Sequence, residues 1–402
     1  MGGAGGGVSE LTGSVGGSER VPRVPMGTLV RIGLLLTLVV VVIGSLNFAR
    51  YDWTGLPLNR APMTATKDVS SRCVEHIGPY TTESGRVVAP VVVDEQQYMN
   101  LVELYRGVPR EDLQLTCLYD PFTFRSGTSW IAHLLPFEEG LSLGITNTVM
   151  TLLGLWLVLL ALRAQGFDAR VVLAAGSVYA VSWNVFFFGT GVLVDSSVVA
   201  AIALCWWLLS TRRPWLVWPA LLLGYPLKET VGIVLPAMAV WAWVEHREGR
   251  RSTAAAAGPV IAAAVAFVVG VAAWRGILPA PDAAWPVKPN LQNTLHNIGD
   301  VVSLGSFAVG AGPFLVLGFL AYRREARRSG WLRAAVDPAV IGVLTALGIC
   351  FWSAITVDLT PRLFWIGTPF AATLVARWFS NGRPREWIDG LRLPASLITS
   401  DR

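Results

Sequence analysis

Long apolar blocks divided by short polar connections dominate this chain. They fall at about residues 29–48, 141–162, 171–188, 192–209, 215–225, 231–244, 254–277, 301–322, 338–356 and 363–378. A bilayer core of about 30 Å takes about 20 residues of helix, so the pattern predicts an all-α polytopic membrane protein with about ten transmembrane helices. The blocks at 215–225 and 231–244 are short for a crossing, and Gly224 and Pro226 at their junction mark a tilted, broken or re-entrant pair. Block 29–48, interrupted only by Arg31, is long enough to span and further spans follow, so it reads as a retained signal anchor.

The polar segments complete the domain plan. Residues 1–28, rich in Gly and Ser, are expected to form a disordered cytoplasmic tail. Residues 29–48 are the first helix, 49–140 a long first extracytoplasmic loop, 141–380 the transmembrane bundle and 381–402 a cytoplasmic tail. Within the loop, Val91, Val92 and Val93 precede Asp94 and Glu95, and Tyr98, Leu101, Val102, Leu104 and Tyr105 follow. That spacing predicts an amphipathic helix along the membrane surface, with the two acids at its start.

Composition agrees with the membrane class: 53% of residues are hydrophobic, 15% are charged and 17 are Trp. The net charge of +5 does not indicate nucleic acid as a partner, because the basic residues sit in short clusters between apolar blocks. Arg20 and Arg23, Arg163 and Arg170, Arg212 and Arg213, Arg247 with Arg250 and Arg251, Arg323 to Arg328, and Arg383 with Arg385 occupy every second connection. By the positive-inside rule both termini are cytoplasmic, in a plasma membrane. The first loop, the Gly189–Gly191 turn, the Lys228 corner, residues 279–300 and the Asp358–Arg362 corner then face outward.

Cys73 and Cys117 share the outer loop, where a disulfide persists, so they are the disulfide candidates; Cys205 and Cys350 lie in apolar blocks. No zinc-spaced Cys/His cluster, GxxxxGK[ST], GxGxxG or GxSxG occurs, which argues against direct use of ATP.

The candidate chemistry lies at the outer corners. A carboxylate inside a membrane is costly and commonly faces a cavity or a partner, which singles out Asp195 at the start of its block. Lys228 and Glu229 are adjacent opposite charges that cannot both face lipid. Asp358 and Arg362 flank another corner, where they form an internal ion pair or leave the Arg for a phosphate. Arg125, in the sequence Pro121-Phe122-Thr123-Phe124-Arg125, is a phosphate ligand or a headgroup anchor. Residues 279–300 include Trp285, Lys288, Asn290, Gln292, Asn293, His296 and Asn297, suited either to sugar binding or to a solvated connection.

In order and sidedness these features resemble the bacterial GT-C-type membrane glycosyltransferases. The resemblance rests on Asp94-Glu95 with Tyr98, the Pro121 to Arg125 return, Asp195, the Lys228-Glu229-Thr230 corner, and Asp358 and Arg362 followed by Pro369. It covers about residues 30–380. It implies a GT-C-like fold, a polyprenyl-phosphate-linked sugar as donor, and a lipid, glycan or protein acceptor, with membrane lipids around the protein. Asp94 would be the general base and Glu95 its assistant or an acceptor ligand. Arg125, Lys228 and Arg362 would hold the donor phosphate, and Asp195, Glu229 and Asp358 would orient cations or sugar. Mg2+ or Mn2+ between Asp94 and Asp195 and a metal-free site both remain open. In many such enzymes the first acid follows the first helix closely, which makes Asp52 the rival of Asp94. A transporter or flippase of a lipid-linked sugar, and an outer-face glycan polymerase or ligase, are the alternative readings.

Overall fold

A computed structural model describes residues 24–54, 80–81, 87–88, 93–113, 118–284, 289–356 and 359–380. The expected tail 1–28 falls almost wholly outside these residues, as do the tail 381–402, the disulfide candidates Cys73 and Cys117, and Asp358.

The described chain is almost entirely helical. The first half runs α1 (Met26–Thr54), α2 (Val93–Tyr105), α3 (Gly127–Ala132), α4 (Glu139–Ala164), α5 (Ala169–Ala180), α6 (Trp183–Phe188), α7 (Asp195–Ser210) and α8 (Val217–Gly224). The second runs α9 (Val234–Arg247), α10 (Thr253–Ile277), α11 (Leu291–Gly299), α12 (Val301–Ser329), α13 (Trp331–Ala335), α14 (Pro338–Thr356), α15 (Pro361–Trp365) and α16 (Thr368–Phe379). Two short strand pairs accompany them: β1 (Tyr80–Thr81) with β2 (Val87–Val88), antiparallel, and β3 (Tyr119–Asp120) with β4 (Ala283–Ala284), parallel.

Among the described residues five helices are long and apolar enough to cross a membrane: α1, α4, α10, α12 and α14. The remaining apolar blocks fold as shorter pieces. Block 171–188 divides at Val181 into α5 and α6, where Ser182 caps α6 by accepting from the Val185 amide at 3.4 Å. Block 363–378 divides between α15 and α16 at Gly367. Block 215–225 yields only the eight residues of α8, because Pro226 has no N–H to continue the ladder. A 3-10 turn over Glu229–Ile233 then starts the next piece before α9. Each break falls where a helix carbonyl would otherwise meet a proline or a competing hydroxyl cap.

At the centre of the bundle α7 is buried on nearly every side, from Asp195 to Leu209. It packs chiefly against α4, and α16 closes on it through Trp206, whose indole N–H donates to the Thr373 hydroxyl at 3.0 Å. The Trp206 and Phe370 rings meet edge-on with centroids 5.1 Å apart.

Hydrogen bonds sort the connections to two ends. At one, the basic end, Arg163 donates to the Val24 carbonyl, Gln165 to Ser210 and Thr373, Arg251 to the Arg212 carbonyl and Arg324 to the Trp378 carbonyl. At the other, Arg106 donates to the Leu135 and Phe137 carbonyls, Asn147 to Gly191 and Asn297 to Ala354. The 26 residues of α4 run from one end to the other, which separates them by about 39 Å at 1.5 Å per residue. Glu139 in its first turn and Arg163 in its last complement the helix dipole.

Candidate functional site

Four widely separated stretches of chain deliver one charge cluster at the end opposite the basic end. The first is α2, which begins with Asp94 and Glu95, where acids favour a helix start. The helix exists as the periodicity predicts, but its setting differs. Glu95, Gln97, Tyr98, Met99, Asn100, Leu101 and Val102 are all buried, so α2 is enclosed by protein rather than laid along a surface. It packs against α3, α4 and the 3-10 turn Phe122–Arg125. Gln97 accepts from the Tyr119 amide at 3.2 Å, Ser129 donates to the Tyr98 carbonyl at 3.0 Å, and Tyr105 donates to Ser126 at 2.8 Å. Arg106 staples the far end of α2 to Ser142 at the start of α4.

The second stretch is the return of the first loop. Phe122 packs edge-on against the Tyr98 ring, centroids 5.7 Å apart, which aims the turn that ends at Arg125. Gly127 follows, and its N–H donates to the Pro226 carbonyl at 2.8 Å. A Cβ there would lie 2.8 Å from that carbonyl oxygen, so only glycine permits the contact without a shift of backbone. This contact sets Arg125 beside the third stretch, the 225–229 corner.

Lys228 leaves that corner in extended conformation and meets Asp195, the first residue of α7. Their side chains are 3% and 2% exposed, making this the innermost pair. The turn before Asp195 is held from α4, where Asn147 donates to the Gly191 carbonyl at 2.6 Å and Thr151 to the Gly189 carbonyl at 2.6 Å. Next to it, Arg125 forms a two-pronged bond with Glu229, its Nε donating at 2.8 Å. The Glu229 side chain is 38% exposed, so this pair lies nearer the surface than the Lys228–Asp195 pair.

The fourth stretch is α15. Thr360 caps it by accepting from the Arg362 amide, and the guanidinium of Arg362 is paired with Asp94. The partner the structure describes for Arg362 comes from the first loop, and Asp358 lies outside the described residues. Arg362 also acts electrostatically on Asp195, and Arg125 on Asp94 and Tyr98, so the three pairs form one field. Tyr98, one turn after Asp94, belongs to it as well. Burial pushes the Tyr98 phenol well above its usual range, which keeps it protonated and a donor.

Seven of the eight proposed site residues are described, and six of them form these three pairs. The seventh, Glu95, is buried and engaged within the protein. Asp52 occupies the last turn of α1, and its side chain lies outside the described residues. Asn297 is also internal: it donates to the Ala354 carbonyl at 2.8 Å and accepts from the Leu359 amide at 3.2 Å, which takes it out of the sugar-binding set. Trp285 and Lys288 fall outside the description. Sequence reasoning passed over Asn147 and Thr151, whose spacing of four places two polar groups on one face of an apolar span.

Several polar atoms within or beside the cluster are buried without a hydrogen-bond partner: Arg362 Nε and the hydroxyls of Thr123, Ser197 and Thr230. An unmade bond at such a place costs about 1–3 kcal/mol, more for a charged group, so a polar partner reaching these atoms would gain that much. A metal fits less well. Asp94 and Asp195 are each engaged by a cation, and among the described residues no group of three His, Cys, Asp or Glu side chains is placed to hold an ion.

Comparison with protein-family models, curated proteins and solved structures finds no match to this chain.

Proposed function

We propose that this protein is a membrane glycosyltransferase of the GT-C type, transferring a sugar from a polyprenyl-phosphate donor to a lipid, glycan or protein acceptor on the outer face. In this reading the apolar blocks make about ten crossings, the shorter helices crossing as broken or tilted pieces beside the five long ones. The basic end is cytoplasmic with both termini, and the charge cluster is extracytoplasmic. The observation that carries the proposal is the gathering of Asp94, Arg362, Asp195, Lys228, Arg125 and Glu229 at one end, with Arg362 Nε left as a buried donor.

The chemistry follows from partner exchange. Arg362 turns from Asp94 to the donor phosphate, using the free Nε, and Arg125 and Tyr98 add donors to the same oxygens. Asp94, released, accepts the proton of the acceptor hydroxyl. The acceptor oxygen then bonds to the anomeric carbon while the bond from that carbon to the phosphate oxygen breaks. The products are the glycosylated acceptor and polyprenyl phosphate, whose charge the cations stabilise. Asp195 holds Lys228, and Glu229 holds Arg125, in place for this step. Glu95 assists from the neighbouring position on α2.

The test is transfer from a panel of radiolabelled polyprenyl-phosphate sugars to membrane lipid and glycan extracts by purified protein. Transfer by the unsubstituted chain, lost in Asp94→Asn and Lys228→Ala variants that keep their helical circular dichroism, is the expected result. Saturable binding of a lipid-linked sugar without transfer would move the reading to a transporter, and an active Asp94→Asn protein would move the base to Asp52.

A further inference from the structure

The segment between β4 and α12 carries a helix that the site does not use. In α11 the side chains of Leu291, Leu295 and Ile298 recur at intervals of four and three residues and are 72%, 63% and 62% exposed. Gln292 and His296, about 100° further round, are also exposed. Asn297 and Thr294 occupy the remaining side, toward the protein, with Asn297 buried. The helix thus has three faces: apolar, polar and protein-bound.

Its direction follows from its hydrogen bonds. The Asn290 amide, at its start, donates to the Ile355 carbonyl at 2.8 Å, and Asn297, two turns on, donates to the adjacent Ala354 carbonyl. Positions 290 and 297 lie about 10 Å apart along a helix axis, whereas carbonyls 354 and 355 lie within one step of each other. Therefore α11 crosses the end of α14 instead of running beside it. The two carbonyls belong to the last turn of α14, where no intrahelical donor remains, so α11 serves as its cap. With α14 crossing a bilayer, these contacts hold α11 at the level of the interface. It is nine residues long, too short to cross, and runs straight into the apolar start of α12, where Val301 and Val302 are exposed.

We propose that α11 binds lipid: Leu291, Leu295 and Ile298 enter the acyl boundary of the outer leaflet while Gln292 and His296 face water, and Asn297 transmits the seating of the helix to the Arg362 corner. The transmission is structural. Asn297 accepts from the Leu359 amide, Thr360 caps the next turn, and Arg362 stands two residues further on against Asp94. The lipid contact rests on α14 crossing the bilayer, and only the link to Arg362 rests on the proposed site.

The experiment uses the full chain in phosphatidylethanolamine and phosphatidylglycerol vesicles whose acyl chains are brominated. An environment-sensitive fluorophore is placed on a single added cysteine at 292, 295 or 298, and the labelling of the unsubstituted chain is subtracted. Quenching at 295 and 298 should exceed that at 292 by at least about twofold, as for a helix with one face among acyl chains. Equal quenching at all three would overturn the lipid contact. In a second measurement, Asn297→Ala should raise amide exchange across residues 356–365 by about tenfold, the worth of one lost hydrogen bond, while α7 stays protected. Unchanged exchange there would overturn the link. Both readouts are independent of sugar transfer, so they stand or fall apart from the proposed reaction.

Discussion

The two ends of the bundle both carry buried charge, yet they use it in opposite ways. At the basic end most cations serve the ends of helices and their connections, and the buried pair there, Arg377 with Asp337, joins residues 40 apart with no donor left over. Arg251 and Arg324 donate to carbonyls at the ends of α7 and α16 and lie over the rings of Trp241 and Trp378, Arg163 donates to the Val24 carbonyl ahead of α1, and Arg250 pairs with Glu245 only five residues away. Such contacts satisfy helix C-termini and anchor the connections. At the other end the pairs join residues 268, 104 and 33 apart in sequence, and a charged donor, Arg362 Nε, is left over. The difference teaches that charge near a helix end is not in itself evidence of a site. Distant partners with unfilled donors are a stronger sign.

The sharpest way to break this contrast is to substitute one arginine at each end. Arg362→Lys keeps the charge but loses the planar fork and the Nε donor, so initial transfer rates should fall by about 10²-fold or more. Arg251→Ala should leave those rates within about twofold, as expected of a group remote from the chemistry. Equal losses would erase the distinction between the ends.

A second contrast lies in stability. Lys228→Met strands the buried Asp195 carboxylate and should cost about 3–5 kcal/mol, read as a lowered thermal midpoint in detergent. Adding Asp195→Asn should recover part of that loss. Arg110→Ala, which breaks a pair whose side chains are 39% and 36% exposed, should cost about 0–1 kcal/mol. A Lys228→Met protein as stable as Arg110→Ala would show that the innermost pair does not organise the site.

The smallest effect concerns pH. Burial, and then the nearby Glu139, push the Glu103 carboxyl up to about 7, against the opposing pull of Arg106. Its folded pKa exceeds its unfolded value of about 4.3, so the folded chain binds the proton more tightly. That stabilisation is fully present below about pH 4 and is lost as pH rises through about 7. Glu103→Gln should flatten the decline of the thermal midpoint between those values. An unchanged slope would remove Glu103 as its source.

Much of the site was legible along the chain. Asp195 and the Lys228-Glu229 pair stand out because charge within apolar sequence is costly wherever it sits, and that cost is a property of single residues. The break at Pro226 is equally local, since it follows from one missing N–H. The partners were not legible. Arg362 read either as a partner of Asp358, four residues away, or as a phosphate ligand, and its pairing with Asp94 has no local signal because the two lie 268 residues apart. The helix at 93–105 was visible as periodicity, but its enclosure depends on Phe122, Ser129 and Arg106 arriving from elsewhere. Asn297 read as a solvent-facing amide because nothing local shows that the end of α14 needs donors.

By itself, then, the sequence determined that this is a chain of apolar helices interrupted by charge at alternate connections, because hydropathy, proline geometry and the cost of an unpaired charge act over a few residues. Tertiary structure alone decided which carboxylate meets which cation, which polar helix is enclosed, and where a donor is left over. Those outcomes depend on helices packing side by side, and an ion pair between residues 94 and 362 exists only once α2 and α15 have been brought together.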